Sequence, residues 1–378
     1  MSKVIFYNSY DIFNNPNNFD SLENIPGGVN FASYFKIFSQ NITAIDRTGV
    51  IQIPLKTEIL PHLRMPEFRK FDKSFTEIMD DRAKQLMQAA IEKKRKIVVM
   101  YSGGVDSTAL LCSFFKNFSD KVVRDNILVL LSDHSIRENP NFFYNHIIKK
   151  VDCTSVYRFP YFLGNDDYLF MSGENADQLF GSQVIDSFII NRPFSSLFND
   201  IDSMRSQMVD WFRTRLRKDM EHYKKLPSEY EEHIFELFYK MAKAAPIDID
   251  TPYKFFWWIN FATKWQSVYM RILTYSQNKE TLALEENYTT FYGTEEFQLW
   301  SLNNTNNLIG NTPSSSKSVA KQYILDYNGD SDYLNKPKIG SLAFIIRQKN
   351  MSMMIDENMN FIEDYPTKNY YNYENDFL

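Results

Sequence analysis

The chain has 378 residues, 44% hydrophobic and 24% charged, an ordinary composition for a soluble globular protein able to bury a sizeable core. Its 42 basic and 47 acidic side chains give a net charge of −5, which argues against a general nucleic-acid-coating role while leaving a local basic patch open. Two cysteines, Cys112 and Cys153, are too few for a disulfide scaffold or a four-thiolate zinc site and fit a reducing compartment, and the five histidines show no metal-ligand spacing.

Residues 1 to about 70 are rich in Asn, Phe and Pro, and the alternation Val50-Ile51-Gln52-Ile53 suggests a strand. Ser74-Phe75-Thr76-Glu77 has capping-box spacing, and Phe75, Ile78, Met79, Leu86, Met87, Ala90 and Ile91 then recur at helical spacing. Lys93 to Lys96 places positive charge where a helix dipole favours it. The run Ile97 to Tyr101 reads as a buried strand leading into Ser102-Gly103-Gly104-Val105-Asp106-Ser107, followed by a helix from about Asp106. A second strand is expected at Ile127 to Leu131, a helix from Asn139-Pro140 to about Lys150, and further strands at Ser155 to Phe159 and Tyr168 to Met171. Such alternation predicts a parallel sheet of right-handed crossovers that binds ligands at the carboxyl ends of its strands.

From about Asp186 the pattern is mostly helical. Met204 to Lys225 reads as a solvated helix face, Phe255 to Trp258 and Cys112 as core, and Asn303 to Ser318 as a polar loop; the tail from Pro366 is assigned no structure. The N-terminus lacks the pattern of a signal peptide. The aromatic stretch Phe255 to Tyr269 is too short and too polar to span a bilayer, so no membrane partner and a cytoplasmic location are expected.

A strand, a glycine loop and a helix form a phosphate site with a physical rationale. Glycines at 103 and 104 let backbone amides through Val105 converge on an anion, and the helix N-terminus adds positive potential. Ser102 and Ser107 carry hydroxyls that can donate to phosphate. Asp106 conflicts with an anion unless a cation such as Mg²⁺ lies between them. The loop is not of the Gly-x-x-x-x-Gly-Lys-Ser/Thr type.

The hexapeptide Ser102 to Ser107 resembles the pyrophosphate loop (PP-loop) of the ATP pyrophosphatase superfamily, which includes asparagine synthetases, GMP synthetases, NAD synthetases and several tRNA-modifying enzymes. That resemblance implies an α/β fold with a parallel-sheet, adenine nucleotide α-hydrolase-like domain and a largely helical C-terminal part. It also implies that the loop holds the β- and γ-phosphates of ATP, that reaction occurs at the α-phosphorus, and that the Met100 backbone faces the adenine.

A second segment, Ser172-Gly173-Glu174-Asn175-Ala176-Asp177-Gln178-Leu179-Phe180-Gly181, resembles the asparagine synthetase pattern Ser-Gly-Glu-Gly-(Ala/Ser)-Asp-Glu-Leu-Phe-Gly. Ser172 and Gly173 then join the nucleotide site. Glu174 and Asp177, three residues apart, share one face of a helical turn. The resemblance implies that Asp177 joins Asp106 on Mg²⁺, and that Glu174 meets the amine nucleophile as its general base. Lys336-Pro337-Lys338-Ile339-Gly340 resembles the Arg-Pro-Lys-Leu-Gly segment of β-lactam synthetase, and that resemblance implies that Lys338 is the cation that stabilises charge at the α-phosphate or the tetrahedral adduct. Upstream, Ser318 to Leu325 resembles the Lys-x-x-Leu-Arg helix of the same family.

The chain departs from the pattern in three places. Gln178 replaces a glutamate near the metal. Asn175 replaces a glycine, which narrows the space around the substrate. Ser2 stands where glutaminase-bearing asparagine synthetases have a nucleophilic cysteine, and too little sequence precedes the loop for a glutaminase domain.

The expected activity is therefore an AMP-forming amide ligase using ATP and Mg²⁺. A small-molecule carboxylate would become an acyl-adenylate, attacked by ammonia or an amine that a separate donor protein could supply. Two alternatives stay open: adenylation of a nucleobase or tRNA carbonyl, although nucleic acid is not the expected partner, and ATP binding without catalysis. The expected organisation is an N-terminal region over 1–72, the synthetase-like domain over 73–350, and a tail over 351–378.

Overall fold

A computed structural model describes residues 3–7, 44–51, 58–181, 185, 188–218, 230–275, 286–310, 312, 315–335, 354–356 and 361–362. The chain forms two compact, discontinuous units. One combines Arg69–Ala176 with Ile272–Met351, and the other combines Asp177–Arg271 with Met1–Phe68 and Ser352–Pro366.

The first unit is α/β and holds a five-stranded sheet in which every pairing is parallel. Helix α1 (Phe75–Glu92) opens on the expected capping box, with Ser74 and Glu77 each satisfying the other's backbone amide. It leads into strand β1 (Lys96–Met100), then helix α2 (Val105–Asn117) and strand β2 (Ile127–Leu131). Helix α3 (Asp133–Glu138) precedes a helical run from Pro140 to Lys150, with Asn139 capping the amide of Phe142 as expected. Strands β3 (Asp152–Ser155) and β4 (Tyr168–Ser172) follow.

The strand expected over Ser155 to Phe159 lies earlier in the chain. Ser155 caps a single 3-10 turn, and a helix takes over at Phe159, where Pro160 lacks the amide a strand needs but suits a first helical turn. The fifth strand, β5 (Tyr288–Thr290), arrives after the excursion through the other unit and pairs with β4 through Phe170 and Tyr288. Three residues are too few for a periodic signal. Helices α4 (Glu295–Asn303) and α5 (Ser318–Asn328) complete this unit.

The spatial order is β3-β2-β1-β4-β5. Residues Ile97, Val98 and Val99 of the central strand are fully buried, as a parallel strand covered on both faces requires. The order reverses beside β1, because the chain builds outward to β3 and then returns to place β4 on the other flank. In parallel α/β sheets such a reversal forms a crevice at the carboxyl ends of the two strands.

The second unit is organised by the helix Pro252–Tyr275. Phe255, Phe256, Trp257, Trp258 and Phe261 are fully buried, the core role expected of that cluster. Buried polar groups on the same helix tie in distant chain: Gln266 donates to the carbonyls of Ile5 and Leu60, and Arg47 to that of Phe261. Lys3–Tyr7 pairs in parallel with Glu58–Ile59 and antiparallel with Met354–Asp356. Of the strand expected at Val50 to Ile53, Val50 and Ile51 carry no strand, and the rest lies outside the described residues. The basic segment after Met204 is the amphipathic helix Arg205–Lys218, with Met208, Trp211 and Phe212 buried. Among the described residues no helix is long and apolar enough to cross a membrane.

Asp80 on α1 fixes α5 in place, accepting from Tyr323 of α5 and from Lys116 and Asn117 of α2. Burial works against its charge, but these three donors outweigh burial and hold the carboxyl below its usual range. A depressed folded value means the contribution is complete above the unfolded value of about 3.9 and fades as pH falls through the folded one. Asp80→Asn should therefore cost about 1–2 kcal/mol at neutral pH and little in acid, measured as urea midpoints at both pH values.

Candidate active site

Strand β1 ends at Met100, a buried side chain in register with Leu130, and Tyr101 extends the pairing by donating its amide to the Leu130 carbonyl at 2.8 Å. Gly103 then turns the chain with φ +80°. A Cβ there would lie 2.4 Å from the Ser135 carbonyl oxygen and 2.6 Å from Glu138 Cβ, so conformation and space both require glycine. Gly104 is the N-cap of α2 and supplies no side-chain hydrogen bond to it.

Three of the loop's carbonyls are occupied by the protein itself. Tyr333 donates its hydroxyl to Gly103 O at 3.1 Å, and Tyr292 donates to Asp106 O at 2.8 Å. Gly104 O accepts from Ser107 Oγ at 3.2 Å and from the Thr108 amide at 3.0 Å. Burial pushes both tyrosine phenols up, which keeps them neutral donors near pH 7. With its carbonyls held in this way and its first amides uncapped by any side chain, α2 presents the positive end of its dipole at the loop.

Ser102 and Ser107 place their hydroxyls 3.0 Å apart, Ser107 Oγ accepts the Ser102 amide at 3.1 Å, and Ser102 Oγ accepts the Gly104 amide at 3.3 Å. They brace the loop from within. Ser107 is buried, whereas Ser102 and Val105 are half-buried.

Asp106, in the first turn of α2, carries a cation on both carboxylate oxygens: Lys317 Nζ lies 2.8 Å from Oδ1 and 2.7 Å from Oδ2. The two side chains are only 16% and 23% exposed, so this is a pair largely withdrawn from water. Lys317 is the N-cap of α5 and has a left-handed backbone, φ +58°, which non-glycine residues seldom adopt. One turn further on, burial and the charge of Lys317 together push the Lys321 ammonium down. Motif spacing does not single out Lys317 when the Lys-x-x-Leu-Arg likeness is started at Ser318. Moved back by one residue, Lys317-Ser318-Val319-Ala320-Lys321 fits that pattern with Ala and Lys in place of Leu and Arg.

The second motif begins where β4 ends. Ser172 Oγ bonds to Tyr288 OH at 2.9 Å and accepts the Glu174 amide at 3.4 Å. A Cβ on Gly173 would lie 3.3 Å from Ser107 N and 3.5 Å from Asp106 Cβ. The glycine loop and the Ser172-Gly173 turn thus meet at the ends of adjacent strands, and Glu174 follows half-buried. Asn175 has φ +71°, at the position where the resembling pattern carries glycine; asparagine is among the residues that best tolerate that conformation.

Asp177 belongs to the other compact unit, in the short helix Ala176–Phe180, and is exposed. Three backbone carbonyls at this helix's end accept side-chain donors from the helix Pro252–Tyr275: Asp177 O from Asn260 at 3.1 Å, Leu179 O from Trp257 at 3.0 Å, and Phe180 O from Tyr253 at 3.0 Å. Gln178 is buried between them, donating to Asn260 Oδ1 at 3.4 Å. A carboxamide suits this place, since a glutamate would bury a charge facing an amide oxygen. Lys338 lies outside the described residues. Among those residues no group of three or more His, Cys, Asp or Glu side chains forms a metal cluster. Asp106, which takes an ammonium on both oxygens, is a carboxylate suited to a cation.

No family model matches the chain, and no curated protein matches it.

Gly103→Ala should cost about 2–4 kcal/mol, because the new methyl collides with backbone as well as straining φ. Gly329→Ala is the control: it has φ +69° with nothing within 4 Å, and should cost only about 1 kcal/mol in the same urea titration. Gln178→Glu should cost about 1–3 kcal/mol at neutral pH. Burial would raise that glutamate's folded value, so its penalty should disappear below about pH 4, where both states are protonated. Thermal melts at the two pH values would check the difference.

Proposed function

We propose that this chain is an ATP-dependent, AMP-forming carbon–nitrogen ligase of the asparagine-synthetase kind, with the PP-loop version of the parallel α/β fold. The observation that carries the proposal is a carboxylate paired with a lysine at the uncapped N-terminus of α2, beside the reversal in strand order. A bare tight turn needs neither the carboxylate nor the lysine. A triphosphate with its cation needs both, because backbone amides and ammonium groups take the phosphates while the carboxylate takes the metal. The left-handed backbone of Asn175 also supports the reading, since it gives a physical reason for glycine at that place in the asparagine synthetase pattern.

In this proposal the loop amides through Val105 and the first turn of α2 receive the β- and γ-phosphates, next to Ser172 and Gly173, with the Met100 backbone toward the adenine. A substrate carboxylate attacks the α-phosphorus and pyrophosphate departs toward the loop. An amine then displaces AMP from the acyl-adenylate, with Glu174 accepting the amine's proton. Lys317 stabilises the negative charge that develops as pyrophosphate leaves, and by resemblance Lys338 stabilises charge at the α-phosphate or the tetrahedral adduct. Asp106 would hold Mg²⁺, whose contribution is to neutralise phosphate charge. Ammonia, or an amine brought by a separate donor protein, is the nucleophile.

Labelled pyrophosphate should exchange into ATP in the presence of Mg²⁺ and one acid from a panel of carboxylates that includes aspartate. Asp106→Ala and Lys317→Met should each lower the exchange rate by about 10²-fold or more, the scale of losing one preorganised charge. If ATP binds but no acid supports exchange, amide ligation is wrong. A nucleobase or tRNA carbonyl then becomes the substrate to test, and binding without turnover on any substrate would indicate a non-catalytic role.

A further inference from the structure

Two tyrosines donate to carbonyls of the glycine loop, but the amides on the same two peptide units differ in what they meet. The Gly103 carbonyl accepts from Tyr333, and across that rigid peptide the Gly104 amide already donates to Ser102 Oγ at 3.3 Å. The Asp106 carbonyl accepts from the Tyr292 hydroxyl at 2.8 Å. Across that peptide the Ser107 amide, third in α2, has no acceptor among the described residues. A carbonyl inside a helix already serves the amide four residues on, so α2 does not need Tyr292 in order to form. Gly173 lies beside the Ser107 amide: a Cβ there would sit 3.3 Å from Ser107 N and 3.4 Å from the Asp106 carbonyl carbon. Gly173 does not have a positive φ, so its backbone conformation does not call for glycine. What the missing side chain does is keep the end of β4 off that amide.

We propose that Tyr292 is a positioning residue for anion binding, which polarises the Asp106–Ser107 peptide so that the Ser107 amide donates strongly to a phosphate oxygen beside Gly173. The proposal rests on the ATP reading of the loop. A donor on the carbonyl oxygen draws electron density through the peptide and leaves its N–H more positive, as hydrogen bonds in a chain reinforce one another. The amide also belongs to the positive end of α2, so helix dipole and tyrosine act in the same sense. Tyr292 is fully buried and follows closely on β5, the strand that pairs with β4. Its neighbour Phe291 donates a backbone amide to Ser172 O at 3.0 Å, which fixes Tyr292 relative to the turn at Gly173. The same edge of the sheet therefore holds the glycine beside the amide and the hydroxyl behind it.

A double-mutant cycle of Tyr292→Phe and Gly173→Ala on the full-length chain tests this, with the affinity for inorganic pyrophosphate and Mg²⁺ measured by titration calorimetry. Tyr292→Phe removes only the hydroxyl, and Gly173→Ala sets a methyl group beside the amide. Each should weaken pyrophosphate binding on the order of tenfold, the scale of one hydrogen bond to a charged group. The double variant should also lose only about tenfold, because both changes disable the same amide. Losses that multiply to about a hundredfold, or an unchanged affinity in Tyr292→Phe, would overturn the proposal. Fluorinated tyrosines placed at position 292 keep the ring and supply a second test where Tyr292→Phe does not fold. Burial pushes this phenol up, so the fluorinated forms remain neutral donors. Affinity should rise with the acidity of the phenol, and a flat series would reduce Tyr292 to a structural brace. If pyrophosphate binds with this pattern but exchanges into ATP with no acid, the ligase reading falls and the role of Tyr292 stands. If exchange occurs and the cycle is additive, the role of Tyr292 alone falls. If wild type does not bind pyrophosphate, that role falls with the phosphate site.

Discussion

A parallel sheet whose strand order reverses beside its first strand forces two chain segments to leave the same edge side by side. Here those segments follow Met100 and Ser172, and they leave so close together that Gly173 lies against the Ser107 amide; Gly103 in turn lies against the Ser135 carbonyl, in the segment that follows β2. Backbone meets backbone at both places, and at Gly103 a side chain would collide. Much of the rest of the unit holds that approach. Tyr292 and Tyr333, 186 and 230 residues from the loop positions they reach, donate to its carbonyls. Asp80 anchors α5, whose N-cap is Lys317.

The electrostatics of this edge run partly against the rules for stable helices. Asp106 in the first turn of α2 is favourable, because a carboxylate complements the helix dipole. Lys317 and Lys321 at the start of α5 are not, and Lys317 has a strained backbone as well. Local preference gives way here at one pair of charges, beside a loop three of whose carbonyls are already occupied. Departures of this kind concentrate where a protein must hold a ligand.

The segment from Ser172 to Gly181 serves two masters. Its first residues turn the chain at the end of β4. From Asp177 onward its carbonyls dock on Asn260, Trp257 and Tyr253 of the long aromatic helix, and Gln178 is buried among them. The polar residues that interrupt the aromatic pattern of that helix therefore have structural partners. Asn260 and Gln266 satisfy backbone carbonyls of chain far away in sequence, which a purely apolar helix would leave buried without donors.

Much of the sheet unit is legible in the sequence because its signals are local. The capping box at Ser74, the apolar runs of β1 and β2, the Asn139 cap and the glycine loop each depend on neighbours within a few residues, and each occurs where the sequence places it. The core roles of Cys112 and the Phe255 to Trp258 cluster follow from composition alone. Other features depend on pairing across hundreds of residues. Strand β5 is three residues long and exists because β4 offers an edge. Lys3–Tyr7 becomes a strand through partners from the far end of the chain. Lys317 looks like one more lysine in a polar loop until the fold brings it, across 211 residues, onto Asp106. The sequence by itself determined the loop, its carboxylate and the helix behind it, because backbone freedom and helix capping are local physics. Only the tertiary structure decided which cation answers that carboxylate, because an ion pair depends on distance in space and leaves no period in the chain.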